Sequence, residues 1–361
     1  LQKHKHFMLT RLDTSQSVPV QVDRSGETRR VAWIIADPLE AGQLRRYRLS
    51  SATARSDTGK GVTVENDGKH LIVKVGSKPV LRYNHAVVPS PDPKTPYYAR
   101  SGYIHPLFSP SGKIVTDDFN PDHAHQHGVM FAWRKSTFEG HGADCWNQMA
   151  GEGRVEHVKF EASGGGPVFG FFTARLRHVG LKLPGGPKPM LDETWYVRVF
   201  NTSDSFLFDL VSTQNTHGSS PLTVEKCHYG GFAIRGAAAW SKHRGRDHDF
   251  LTSQGKNKKD GNHTRPRWVD IHGLLDGQTS GVTIMDHPQN FRFPQPVRLH
   301  PYMPYFCFAP SVLGSFDIEQ GKPFVSRYRL YVHDGKVEPP VVERLWHDYA
   351  DPPVVRIVTD P

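Results

Sequence analysis

The chain has 361 residues, a formal charge of +9, 37% hydrophobic residues, 33 glycines and 28 prolines. That length buries a large core, and no apolar run reaches the ~18 residues of a spanning helix, which excludes membrane insertion by helices. The basic residues are dispersed except at 253–260, which reads as a solvated loop without any nucleic-acid module beside it.

In chain order, short β-like runs at 18–22, 30–35 and 47–49 make residues 1–60 an N-terminal β segment packed on a main domain. Residues 61–75 alternate apolar and polar on both sides of Asn66-Asp67-Gly68 and predict a β-hairpin. The proline-rich stretch 89–96 is a loop. Strands are expected at 129–133, 156–160, 168–176, 191–201, 206–213, 281–286 and 324–333, without helical periods between them. Recurrent short strands with glycine and proline turns predict an all-β fold, a large antiparallel β-sandwich over 61–340 with few short helices. Pro339 and Pro340 would start a C-terminal helix over 338–349, with residues 341–361 forming helix and tail. Starting at Leu1 rather than methionine, the sequence reads as one from which an N-terminal segment such as a secretion signal was left out, so a secreted or periplasmic location is expected. Cys145, Cys227 and Cys307 show no metal-ligand spacing and are expected as thiols, with at most one bridge among them.

The segment Asp122-His123-Ala124-His125-Gln126-His127-Gly128 sets three imidazoles on alternate residues. If it continues the strand that follows, His123, His125 and His127 project from one face, where they would hold a divalent metal or work directly as acid and base. Cupins also place His-x-His on a strand, but their following glutamate is absent here. Asp118 and Asp122 flank the row and would orient its rings by accepting the second ring N–H. Other histidines, among them His105, His217, His228 and His287, sit in separate segments that strands bring together. Glu193 lies in a strand whose alternation is expected to put it on one face and Trp195 on the other. Trp146 and Tyr229 belong to aromatic-rich segments suited to stacking on a sugar, and Arg298 is available to a carboxylate or hydroxyl.

The ordered motifs 103–112, 115–119 and 122–128, with Tyr229-Gly230-Gly231-Phe232, Arg235-Gly236 and Asp286-His287-Pro288-Gln289-Asn290, resemble a bacterial family of unknown function often labelled "methane oxygenase PmoA". In that family the histidine motif is denser, so Ala124 and Gln126 depart from it. The label itself does not suit this chain, because a particulate methane monooxygenase subunit is an integral membrane protein. The resemblance implies a β-supersandwich similar to galactose-mutarotase-like proteins, found in bacteria that degrade polysaccharides.

The leading expectation is a carbohydrate-active lyase, hydrolase or epimerase with its site on a concave sheet face. His123, His125, Asp122 and Asp118 would be catalytic, and His123, His125 and His127 would hold any metal. His105, Trp146, Glu193, His217, His228, Tyr229, His287 and Arg298 would bind substrate. A non-catalytic glycan-binding module is the alternative, and a structural domain without a site is the third.

Overall fold

The computed structural model describes residues 6–23, 29–40, 42–52, 61–241 and 248–358. Two eight-stranded, wholly antiparallel sheets dominate it. The long-stranded sheet runs in the order Gly153–Gly164, Phe169–Gly180, Lys188–Phe200, Phe206–Thr216, Phe324–Asp334, Gln278–Asp286, Trp268–Leu275, His248–Thr252. The short-stranded sheet runs Val297–Leu299, Tyr305–Phe308, Gly231–Arg235, Val129–Ala132, Tyr103–Leu107, Lys78–Asn84, His70–Val75, Val62–Asn66. The expected all-β class, the hairpin and the predicted strands from 129 onward are therefore present, whereas the run 18–22 is split between two strands and 30–35 is strand only over Arg30–Ala32.

Alternation decides which side of each strand is core. In Phe206–Thr216 every second residue from Phe206 to Gln214 is buried, and in Phe324–Asp334 the same holds for Phe324, Ser326, Tyr328, Leu330 and Val332. The two sheets meet through such residues: Phe232 of the short-stranded sheet stacks on Tyr328 of the long-stranded one at 4.3 Å, and Phe308 lies 5.2 Å from the same ring. Each aromatic fully buried in this way contributes about 1.5–3 kcal/mol of apolar transfer.

The opposite face of the short-stranded sheet follows from the register. Arg235 pairs with Tyr305, Ala233 with Cys307, and Cys307 with Arg298, so these residues share the face turned away from the long-stranded sheet. Loops laid across that face build the site.

Around this frame, Ser136–Phe138, His141–Ala143, Leu222–Val224 and Phe316–Ile318 form a four-stranded sheet. Strands His6–Arg11, Ser17–Val18 and Tyr47–Ala52 form another of three, with Phe7, Leu9 and Val20 in its own small apolar cluster. Gln21 ties this region to the main body by accepting the backbone N–H groups of Val168 and Phe169, both at 3.1 Å. The helix Pro339–Ala350 buries Val342 and Trp346 against Trp268 and Met285. All three cysteines are free thiols.

Candidate functional site

The histidine segment is a loop of turns, not a strand; regular pairing begins only at Val129. Local chemistry explains why. Asn120 accepts the backbone N–H of Asp122, the His123 N–H bonds to the Asn120 carbonyl, and the Gln126 N–H bonds to the His123 carbonyl, giving successive turns. Gly128 ends the loop at φ +41°, where a Cβ would meet the Ile104 carbonyl oxygen at 2.0 Å. The three imidazoles therefore do not share a strand face.

They divide into two groups. His127 is fully buried, with Nδ1 2.6 Å from Asp118 Oδ1 and Nε2 2.9 Å from Gln148 Oε1. Both ring nitrogens are taken, which removes His127 from the expected metal triplet. Asp118 also accepts from the Tyr103 hydroxyl at 2.5 Å. Burial works to raise its carboxyl, and His127 and Tyr103 more than reverse this. His105 stands nearby, its Nδ1 3.0 Å from the Thr116 hydroxyl, and burial pushes its imidazole down.

His123 and His125 instead face each other at 5.3 Å between ring centroids, and His123 lies 6.1 Å from His300. Tyr98 flanks His125 at 6.5 Å, and Tyr302 and Tyr305 flank His300 at 6.2 and 6.4 Å. Burial lowers His125 to about 3 and His300 to about 4, with Arg298, His123 and Arg235 lowering His300 further; His123 is lowered by burial and by Arg235. His300 Nδ1 accepts the backbone N–H groups of Tyr302 and Met303 at 3.2 and 3.1 Å, so the neutral ring carries its proton on Nε2. Among the described residues, buried His123 Nδ1 has no hydrogen-bond partner.

Arg235 lies within this cluster and is 1% exposed. One terminal nitrogen donates to Gln126 Oε1 at 3.0 Å, while Nε and Nη2 are buried without hydrogen-bond partners among the described residues. Asp117 is 3.9 Å from Arg235, its oxygens accepting instead from the Asp118 N–H and the Asn120 amide. Gln126, which departs from the denser histidine pattern, thus holds the arginine.

The cluster continues into aromatic residues. Trp146 packs between Tyr229 and Tyr305 at 5.6 and 5.8 Å, and His228 packs on Tyr229 at 4.6 Å. Asp144 caps this corner, accepting from the Trp146 and Asn147 N–H groups and pairing with Arg134 at 3.2 Å, while Arg134 Nε donates to the Tyr229 hydroxyl. Arg298 lies close enough for its charge to lower both His228 and His300.

Three expected site residues lie elsewhere. Glu193 is inside the sandwich, where its carboxylate receives His178 at 2.8 Å, the Trp195 indole N–H at 2.7 Å and the Ser212 hydroxyl. Trp195 is on its face, not the opposite one, because residues two apart on a strand point the same way. His217 is exposed and pairs with Asp192 at 2.8 Å. His287 packs under Tyr349 of the helix at 4.8 Å. Asp122 is exposed at the edge of the histidine loop, while it is Asp118 that holds a ring, that of His127.

His300, Arg235 and Tyr98 were absent from the expected site, although Arg235 stands in one of the quoted motifs. Their signal is the pairing of strands that sequence alone does not supply. Among the described residues, no group of three or more histidine, cysteine, aspartate or glutamate side chains stands as a metal cage.

An all-β protein with an imidazole and arginine cluster on the outer face of one sheet is what fold and site define. The chain belongs to a family of unknown function, DUF6807, whose profile matches residues 70–347. No curated protein matches it. Similar solved structures include a GH36 alpha-galactosidase of Geobacillus stearothermophilus in complex with raffinose, 8% identical over 76% of this chain and 41% of its own, with a TM-score of 0.34. A putative aldose 1-epimerase of Escherichia coli is 10% identical over 76% of this chain and 99% of its own, at 0.32. A galactose mutarotase related enzyme of Lactobacillus acidophilus is 11% identical over 77% and 99%, at 0.29. The chain spans about two fifths of the length of the alpha-galactosidases it matches. At these scores neither detail of fold nor activity transfers.

Proposed function

We propose that the chain is a secreted or periplasmic carbohydrate-active enzyme that moves a proton at a sugar carbon adjoining a carbonyl or carboxyl group, as an epimerase or lyase. The observation carrying this is the meeting of neutral His123 and His300 with a buried arginine, two of whose three nitrogens lack acceptors among the described residues. A neutral imidazole is a competent base near pH 7. His123 takes the carbon-bound proton, and the electron pair moves onto the adjoining carbonyl oxygen. The resulting oxyanion receives the Nε2–H of His300 and an Arg235 N–H. Delivery of a solvent proton to the opposite face, as His123 releases its own to solvent, inverts the carbon; loss of the substituent one carbon further, which leaves with the proton that His123 took, completes a lyase step. Trp146 and Tyr305 are fully buried, so the expected stacking of Trp146 on substrate falls to half-buried Tyr229, which they back and which supplies apolar surface for the sugar.

Hydrolysis receives less support. Glycosidases generally need two carboxyl groups across the bond, whereas Asp117, Asp118 and Asp144 are engaged in the hydrogen bonds described above. The alternative form of the proposal places a divalent ion on His123 and His125, which would supply a Lewis acid for the oxyanion in place of the base role of His123, and metal analysis of untagged protein tests it. The methane oxygenase label supports no step here, and no described helix is long and apolar enough to cross a membrane.

The test is a panel of aldoses, ketoses, uronates and their oligomers, with products followed by NMR. Wild type turns over at least one, while His123→Ala and His300→Ala lose about 100-fold or more, the typical worth of general acid–base catalysis, in variants that melting shows to be folded. Binding without product would favour the glycan-binding module instead.

A further inference from the structure

The buried Arg235 exceeds what an acid–base site for neutral sugar requires. Burying a guanidinium with two nitrogens lacking hydrogen-bond acceptors is expensive, and such groups are normally paired. Gln126 satisfies only one of the Arg235 nitrogens, and Asp117 at 3.9 Å gives charge but no hydrogen bond. Arg298 is a second cation on the same face, two strands away, half-buried and without a hydrogen bond or ion pair among the described residues. His300 lies at the end of the Arg298 strand and feels both charges. Another arginine near this face, Arg134, is already occupied by Asp144 and Tyr229.

We infer that this site takes an acidic sugar, a uronic acid or its oligomer, whose carboxylate is bound by Arg235 and Arg298 beside His300. The inference rests on the proposed function and narrows it. A carboxylate supplies acceptors for Arg235 Nε and Nη2, and charge-assisted bonds of this kind are about twice as strong as neutral ones. It also puts an acidic C–H next to the carboxyl group, within the cluster that contains His123. Arg235 would be catalytic in the sense of touching the reacting carboxylate, and Arg298 would set specificity.

The probes are trimers of galacturonate, glucuronate, mannuronate and guluronate, the methyl esters of each, and the corresponding neutral trimers, measured by calorimetry on the full chain at two salt concentrations. At least one acidic trimer should bind about tenfold or more tighter than its ester and its neutral counterpart, and weaken as salt rises. Arg298→Gln, at a half-buried position, should remove most of that preference of acid over ester; Arg235→Gln should do the same if its melting shows it folded. Equal binding of acid, ester and neutral trimer, or a preference that survives Arg298→Gln, would overturn the acidic substrate while leaving sugar chemistry standing. Failure of wild type to bind any trimer, together with no turnover on the aldose and ketose panel, would overturn both.

Discussion

His300 shows how one residue acquires a chemical assignment from its surroundings. Its Nδ1 accepts two backbone N–H groups, so protonation there breaks both bonds, and burial with two nearby arginines adds to the cost. His125 is neutral for the related reason that it is buried beside His123. Both folded-state values lie below the ordinary 6.5. The two rings therefore add stability that is full above about pH 6.5 and is lost as pH falls through about 4 for His300 and about 3 for His125. The same sign applies to catalysis, since His123, which burial and Arg235 also lower, must be deprotonated to act as the base. The acid limb of kcat/KM should lie below pH 6.5; a limb at or above 6.5 would show that His123 is not the essential base. Histidine spacing made 122–128 visible from the sequence, but the role of each ring depends on partners far along the chain, such as Gln148 for His127 and His300 for His123.

Among elements, the loop 117–128 and the strand after it matter most. Alternation of three histidines imitated the period of a strand, yet Asn120, Asp122 and Gly128 are turn residues, and their hydrogen bonds prevailed. Gly128 is where this choice is enforced, because its positive φ and the Ile104 carbonyl leave no room for a side chain. Gly128→Ala should cost about 1–3 kcal/mol from backbone strain alone and displace His127 and the Arg235 strand, whose Arg235 N–H bonds to the Gly128 carbonyl. Denaturant melting combined with histidine NMR reads both effects; a fully stable variant with an unmoved His127 would contradict this role. The hairpin over 61–75 was legible because its turn and alternation are both local, and it forms as Val62–Asn66 paired with His70–Val75. The motif 286–290 was equally visible, but its role is internal: Asn290 donates to Asp286 and to the Arg327 carbonyl, pinning a turn to the neighbouring strand.

In the whole molecule, Glu193 joins the layers. Ser212 and Trp195 donate to it, as does Gln214 at 3.2 Å, and Gln214 in turn accepts from the indole N–H of Trp133, just beyond the short-stranded sheet. Burial would raise the Glu193 carboxyl, but His178, Ser212 and Trp195 hold it below the usual range. Its contribution is thus present above the ordinary glutamate value near 4.5 and lost as pH falls. Glu193→Ala should cost about 3–5 kcal/mol, since it strands buried donors, and chemical denaturation should show this loss independently of any substrate. A loss under about 1 kcal/mol would instead free Glu193 for another role. Sequence suggested substrate binding because a glutamate between aromatic residues looks alike in a groove and in a core. The all-β class was readable from strand patterning, but which sheet face is covered and which is left for a site depends on how the two sheets stack.

The central claim is that His123, His300 and Arg235 form a proton-transfer site for sugars, and deuterium wash-in tests it most directly. The full sugar and uronate panel is incubated in deuterium oxide with wild type and with His123→Ala, and ring protons are followed by NMR. The account predicts that wild type replaces, or eliminates, the proton at the carbon adjoining a carbonyl or carboxyl group in at least one compound, and that His123→Ala does not. No exchange and no product across the panel, or exchange that is unchanged in the variant, would contradict it.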